Sequence, residues 1–504
     1  MNPPADDFDL LVVGGGINGA GIARDAAGRG LRVALVEQAD FAGATSSAST
    51  KLIHGGLRYL EHYEFRLVAE ALAEREVLLR IASHIARPLR FVMPQVAELR
   101  PAWMIRAGLW LYDHLGGRIS LPKSCAVRLA PDRYGAGLDS RLAKGFAYSD
   151  AWVDDARLVI LNLRSAQAHG AVLMPRTRFI GAQRRDGAWR ATIEPARAGA
   201  RRELRARVLV NAAGPWVTTV LEAAGGSQEP ARVQLVKGSH IVVPRVHAGE
   251  HALILQNPDR RIVFMIPYEQ RFTLIGTTDI SVASLDEARA IGAGETRYLL
   301  NSVNRYLARP LSRDDIVWSY TGVRPLYDDG SNNPSETTRD YTLKVDDRDG
   351  VAQLSVFGGK ITTYRRLAEA ALEKLQPWLR HERGNWTPDE PLPGAASDPA
   401  IAADLLRARR PTLPQPLLET LFRRHGALAD ELLDDARSPA DLGRDFGGGL
   451  TEREVAWFVE HEWAACADDV LWRRTKAGLH MNVAQRAEFS NWFEKQRHRP
   501  ATIA

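Results

Sequence analysis

Two continuous apolar runs, Phe8 to Val13 and Leu31 to Val36, flank a stretch of small residues from Ile17 to Arg29. This order predicts a strand, a tight glycine turn, a helix and a second strand, a βαβ unit. Gly19, Ala20, Ala23, Ala26 and Ala27 would let the helix lie close to a sheet. Glu61 to Arg80 is rich in helix formers and sets Phe65, Val68, Leu72 and Leu79 on one face, which predicts a long amphipathic helix. From about Arg232 to Phe357 the texture changes. Short β-rich runs at Gln234 to Val243, Ile262 to Pro267, Phe272 to Thr278 and Ile316 to Thr321 are parted by polar turns, the pattern of an antiparallel sheet. Seven prolines between 381 and 416 predict a domain boundary, and Leu417 to Phe493, carrying Trp457, Trp463, Trp472 and Trp492, reads as a small helical domain.

A chain of 504 residues is too long for one core, so two or three packed domains are expected. With 45% hydrophobic and 25% charged residues it is an ordinary globular composition, and 66 basic against 61 acidic residues leave +5, too small an excess to choose among anionic partners. Cys125 and Cys466 are isolated, with no CxxC and no histidine pattern beside them, which points away from disulfides and a structural zinc site; no metal is expected. The start, with Asp6 and Asp7, lacks a secretory pattern, and no apolar run reaches the roughly 18 residues of a membrane span. Any membrane contact would be peripheral.

The sharpest chemistry is Gly14-Gly15-Gly16-Ile17-Asn18-Gly19, a GxGxxG set between the first strand and first helix. Its glycines permit a tight turn and a close approach of backbone to a pyrophosphate, with the helix N-terminus behind it. Glu37 ends the second strand, 18 residues after Gly19, where a carboxylate can accept hydrogen bonds from a ribose. NAD and FAD both fit; an acid here disfavours the 2′-phosphate of NADP. Thr45 to Gly56, dense in small donors and glycines, could line a second portion of an extended cofactor.

Several separate motifs carry a resemblance. Gly14 to Gly21, Ala44 to Leu60, Lys237-Gly238-Ser239-His240, Gly276-Thr277-Thr278-Asp279, Gly322-Val323-Arg324-Pro325-Leu326, Phe357 to Arg365 and Leu471 to Lys476 stand in the order seen in FAD-dependent glycerol-3-phosphate dehydrogenases, and the chain closely resembles that family over nearly its whole length. Thr50, where relatives often have Ser, and Ala213, where Thr is common, are small departures. The resemblance implies α/β plus α+β architecture: a Rossmann-like FAD-binding domain (1–80, 145–230 and 345–380), an antiparallel-sheet substrate domain (81–144 and 231–344) and a C-terminal helical domain (390–504). It implies oxidation of sn-glycerol 3-phosphate to dihydroxyacetone phosphate, with electrons passing through FAD to a membrane quinone. No calcium-hand loop occurs: Asp346-Asp347-Arg348-Asp349-Gly350 has Val345 where the first ligand should stand.

The resemblance also implies the site. FAD would be held by Gly14, Gly16, Asn18, Gly19, Glu37, Thr45, Ser46, Ser47, Lys51, Leu52, His54, Gly55, Gly214, Gly359, Lys360, Thr362 and Thr363. A phosphate dianion calls for charge-assisted donors, and Arg58, Arg324 and Lys360 are the candidates, with Tyr59 adding a hydroxyl. His54 and His240 are the candidate bases for the alcohol proton, His54 ahead because Gly55-Gly56 follows it; Arg324 could instead stabilise the alkoxide.

Trp103 to Tyr112 reads as a helix apolar nearly all round, with Arg100, Arg106, Arg118 and Lys123 in or beside it. Such a segment is either core or seated on an anionic lipid surface, and a quinone acceptor favours lipid. The expected location is the cytoplasmic face of a bacterial inner membrane, and the family implies a homodimer. Rival activities are a glycerol-3-phosphate oxidase using O2 and an amino-acid oxidase-like flavoenzyme; nucleic acid is not an expected partner, since no basic aromatic stripe is present.

Overall fold

The structure, a computed structural model, describes residues 7–96, 98–117, 119–196, 199–226, 233–327, 341–381 and 383–497. Asp7–Val13 (β1) is apolar on both faces because it lies inside a sheet, paired in parallel with Val33–Val36 (β2) on one side and Arg202–Asn211 on the other. The order across this sheet is Thr342–Asp346, Gln353–Phe357, Arg202–Asn211, β1, β2, Val172–Met174, with Ala188–Pro195 added antiparallel to the first half of Arg202–Asn211 and Thr177–Arg185 antiparallel to Ala188–Pro195 in turn. The βαβ unit is therefore present as its apolar runs indicate.

Between β1 and β2 runs helix α1 (Ile17–Gly28), buried along almost all of its length. Its alanines face the sheet's core and Gly19 faces the backbone of Gly14, but the later glycines face side chains: a Cβ on Gly21 would stand 2.7 Å from the Tyr364 ring, and one on Gly28 would stand 1.9 Å from Trp386. The small residues thus serve both a close approach to β1, at Gly19, and the admission of large neighbours, at Gly21 and Gly28.

The β-rich middle of the chain folds into a second sheet. Val233–Pro244 pairs along its length with Trp318–Tyr327, and the sheet runs on through Phe272–Gly276, Ile262–Tyr268, Ala252–Gln256 and Ala86–Pro94. All these pairs are antiparallel except Ala252–Gln256 on Ala86–Pro94. Lys144–Val153, expected with the nucleotide-binding part inside 145–230, is instead a strand of this second sheet, and it carries Leu52–Ile53, from the 1–80 segment, as its edge neighbour. An apolar strand has the same pattern in either sheet.

The expected helix from Glu61 begins later. Leu57–His62 is a 3-10 turn ended by Tyr63 in the left-handed region (φ 59°), and the α-helix α2 spans Phe65–Ile81. Its buried face is Leu67, Val68, Ala71, Leu72 and Leu78, with Leu79 packed beside it; Val68, Leu72 and Leu79 lie on the expected face, while Phe65 is exposed. Helix α3 (Ala102–Leu115) is not apolar all round in its packing: Ile105, Leu109 and Tyr112 form a buried stripe, while Trp103 (73% exposed), Met104 and Trp110 (63%) face outward. No helix among the described residues is long and apolar enough to cross a membrane.

The proline-rich segment is not a free linker. Trp386 packs on α1, the Leu392 N–H donates to Ile81 O at 2.8 Å, and Ser83 Oγ bonds Ala396 O, so the chain is sewn to the first domains until the C-terminal core begins near Leu406. Of the four tryptophans expected in that core, Trp457 belongs to it and Trp492 packs against it, whereas Trp463 packs into the nucleotide-binding core and Trp472, also touching the C-terminal core, stacks on Trp318 at 4.9 Å. Helices from both parts thus share one packed junction.

Candidate active site

A cavity of about 750 Å³ runs from the turn after β1 into the space between the two sheets, within the size of sites that take sizeable ligands. Gly14, Gly16, Asn18 and Glu37 line it at the glycine turn, Gly359 packs against Asn18 with Lys360 next in the chain, and Thr45, Ser46, Leu52, Gly214, Thr362, His54, Tyr59, His240 and Arg324 line it as well. Most of the residues singled out in the sequence therefore meet in one space.

The dinucleotide end is built by backbone. Gly14 has φ +113° and a Cβ there would come 2.4 Å from Ala212 O, so only glycine lets β1 turn so close to the neighbouring strand. The α1 N-terminus has no capping side chain from its own cap residue; Ser46 Oγ accepts from the Ile17 N–H at 2.9 Å instead. Glu37 Oε2 accepts from Gly15 N–H and Oε1 from Ala39 N–H, both at 2.8 Å, which orients the carboxylate and leaves lone pairs for a further donor. Burial raises its pKa, opposed by those two N–H groups. Asn18 Nδ2 donates to Gly358 O at 3.1 Å while its buried Oδ1 has no partner among the described residues. A long cavity starting at a glycine turn on a helix N-terminus, with an oriented acid and an orphaned acceptor, fits a dinucleotide.

In the cavity wall, Arg324 is aimed by its partners: it ion-pairs with Asp279 and donates to Thr278 O at 3.3 Å. The Gly276–Asp279 turn is tied down in its turn. Thr278 Oγ1, Ser239 Oγ and Lys237 Nζ all bond the buried Glu295, whose carboxyl burial would raise but whose donors hold it low. Lys360 Nζ stands 3.8 Å over the Tyr59 ring. His240 is buried with its Nε2 3.0 Å from Thr50 Oγ1, its Nδ1 unpartnered among the described residues, and its ring stacked on Tyr320. Burial first, then the charges of Lys51 and Arg324, push His240 down to about 3, so at neutral pH it is an uncharged and weakly basic imidazole. His54 is half-buried, with its ring edge-on to Phe264 and its N–H donating to Thr362 Oγ1 at 3.4 Å.

Six expected site residues stand outside the lining. Lys51 is fully buried, with Nζ 2.6 Å from Asp155 and 3.1 Å from Ser47 O, so its charge serves the fold; burial lowers its pKa. Gly19 lies under the turn, where a Cβ would meet Gly14 O at 1.9 Å. Gly55 N–H donates to Tyr112 Oη at 2.8 Å, Ser47 Oγ donates to Ala44 O, and Thr363 is buried with its N–H on Lys360 O. Arg58 is half-buried in the Leu57–His62 turn, away from the cavity. Conversely, Phe264, Thr277, Gly238 and Gly322 line the cavity and were not singled out, although three of them lie in the quoted motifs. Arg118 lies outside the described residues.

Residues 9–365 match the family described as FAD dependent oxidoreductase, and residues 386–489 match the C-terminal domain of alpha-glycerophosphate oxidase. The chain is 51% identical to the aerobic glycerol-3-phosphate dehydrogenase of Escherichia coli K12, over 98% of this chain and 99% of that one. It is 49% identical to the D-erythritol 1-phosphate dehydrogenase of Brucella abortus, over 96% and 97%. A crystal structure of a Bacillus halodurans glycerol-3-phosphate dehydrogenase complexed with FAD superposes with a TM-score of 0.77 at 25% identity, covering 99% of this chain and 92% of that one. The chain is an FAD-dependent oxidoreductase and belongs to the FAD-dependent glycerol-3-phosphate dehydrogenase family.

Proposed function

We propose that this enzyme oxidises sn-glycerol 3-phosphate to dihydroxyacetone phosphate and passes the electrons to a membrane quinone. The observation that carries the substrate is that two cations, Arg324 and Lys360, and an imidazole, His54, line the same cavity as the glycine turn. FAD, held along Gly14, Gly16, Asn18, Glu37, Thr45, Ser46, Gly214, Gly359 and Thr362, supplies the hydride acceptor for the alcohol carbon. Arg324 and Lys360 bind the phosphate, Arg324 through the guanidinium nitrogens that Asp279 leaves unused, and so hold the carbon skeleton in one orientation. His54 takes the hydroxyl proton. His240, kept neutral and poorly basic, serves as a wall and hydrogen-bonding partner, which supports His54 as the base. Tyr59 carries Lys360 on its ring face and orients it.

The outward Trp103, Met104 and Trp110 of α3, with exposed Arg106 and Lys123, support docking on an anionic lipid surface, where a quinone is met; Arg100 is instead paired with Glu61 and Gln256. The test is a substrate and acceptor screen of the FAD-loaded protein: glycerol 3-phosphate, erythritol phosphate, glycerol and amino acids, each with a quinone analogue and with O2 uptake. Fast turnover of glycerol 3-phosphate with the quinone analogue is expected. Preference for an amino acid, or for O2 over the quinone, would replace the reading.

A further inference from the structure

The loop after β2 touches the cavity with one side and the C-terminal domain with the other. Glu37, Gln38, Ala39 and Gly43 line the cavity, while Asp40 and Phe41 turn away and are buried. Asp40 receives both Nη atoms of Arg474, at 2.6 and 2.8 Å, and Nε of Arg473 at 2.5 Å, from more than 430 residues further along the chain. Arg474 is itself fixed by two hydrogen bonds to the Glu462 carbonyl. Phe41 meets the edge of Trp463, with centroids 5.1 Å apart, and its ring fills the space beside Gly15, where a Cβ would be 2.5 Å away.

The facing bank is held the same way. Thr177 and Arg178 line the cavity, and the preceding Arg176 donates to Asp469 of the C-terminal domain at 2.5 Å. The two banks are also tied to each other: Arg176 N–H donates to Ala39 O at 2.9 Å and Thr177 N–H to Glu37 O at 2.7 Å. A forked guanidinium on a carboxylate fixes orientation as well as distance, and a wall fixed before binding spares the ligand the cost of ordering it.

We infer that Arg473, Arg474 and Trp463 are positioning residues for the cofactor: the C-terminal domain braces the two loops at the dinucleotide end and sets how tightly FAD is held. The inference rests on the reading that FAD lies with its adenosine part against Glu37. A different ion pair at the same domain junction, Arg157 with the Glu462 carboxylate, touches neither loop and meets the brace only through the Glu462 backbone that holds Arg474; Arg157→Lys, which keeps the charge, serves as the reference.

The experiment measures FAD affinity by flavin fluorescence on reconstitution of the full-length apoprotein, with melting temperature alongside, for Trp463→Leu, Arg474→Met, Arg157→Lys and Glu37→Gln. Trp463→Leu and Arg474→Met are expected to raise the Kd for FAD at least about tenfold, the scale on which supporting partners of a bound group act. Arg157→Lys is expected to lower the melting temperature while changing that Kd less than about twofold. At saturating FAD the KM for glycerol 3-phosphate stays at the parent value in all but Glu37→Gln. Should Arg474→Met fail to fold, Trp463→Leu, which strands no charge, decides alone. Folded Trp463→Leu holding FAD as tightly as the parent overturns the brace. If Glu37→Gln weakens FAD in that case the site stands without the brace; if it does not, the placement of the adenosine end falls first, and the brace with it.

Discussion

Arg324→Ala perturbs the phosphate end at one point. The guanidinium is held by Asp279 and Thr278 O through Nη2, which leaves Nε and Nη1 without a partner among the described residues in a side chain that lines the cavity. A hydrogen bond to a charged group contributes about 1.5–3 kcal/mol, and a side chain 28% exposed is partly screened by water. About 2 kcal/mol, or roughly 30-fold, is therefore the expected rise in KM for glycerol 3-phosphate. Removing the cation also leaves the Asp279 carboxylate facing a dianion, so Arg324→Ala with Asp279→Asn is expected to recover part of the loss. Dye-linked steady-state kinetics at saturating FAD reads both, with flavin absorbance to show that the cofactor stays. Glycerol, which lacks the phosphate, is the internal control: its weak turnover is expected to change less than about twofold, because the lost interaction is one it never makes. A KM for glycerol 3-phosphate unchanged in Arg324→Ala, or an equal loss with glycerol, would refute Arg324 as the phosphate group's partner.

The ion pair of Arg157 with Glu462 is fully buried, and Arg157→Met is expected to cost about 3–5 kcal/mol in denaturant unfolding, with Glu462→Gln added to it restoring part. His84 and His240 are held at about 3 and His251 at about 4, below the usual 6.5, chiefly by burial. The unfolded chain takes up these protons before the folded one does, so their contribution is fully present above pH 6.5 and lost as pH falls toward 3 to 4. The urea midpoint is expected to fall between pH 7.5 and pH 5, less steeply in His240→Gln; a flat profile would contradict the burial argument. Trp103→Ser with Trp110→Ser is expected to release the protein from anionic vesicles in a sedimentation assay without changing its turnover of glycerol 3-phosphate with a soluble dye.

What the sequence disclosed was local. The β1–turn–α1–β2 unit could be read because its apolar runs, glycines and acid lie within 31 residues and each follows from backbone geometry. Arg324 and Lys360 could be read as cavity cations because glycines flank them. Lys51 could not: in a loop of small donors it looks like a ligand group, but its partner Asp155 is 104 residues away, and only the packed structure reveals that the pair is sealed. The same distance hid the grip of Arg474 on Asp40, which are 434 residues apart. Lys144–Val153 went to the wrong sheet because an apolar strand carries no label of its neighbours. The helix at Glu61 was placed too early because Tyr63 adopts a left-handed conformation that its side chain does not advertise. The burial of His240 and its two cationic neighbours, which lower its pKa, were likewise not legible in the sequence.

The most direct test of the whole account is an absorption spectrum of the FAD-loaded protein during anaerobic addition of glycerol 3-phosphate. The account expects a yellow protein whose flavin band bleaches at about one substrate per flavin and returns when a quinone analogue is added. Protein that stays colourless after incubation with FAD, or a flavin band indifferent to glycerol 3-phosphate but bleached by an amino acid, would contradict it.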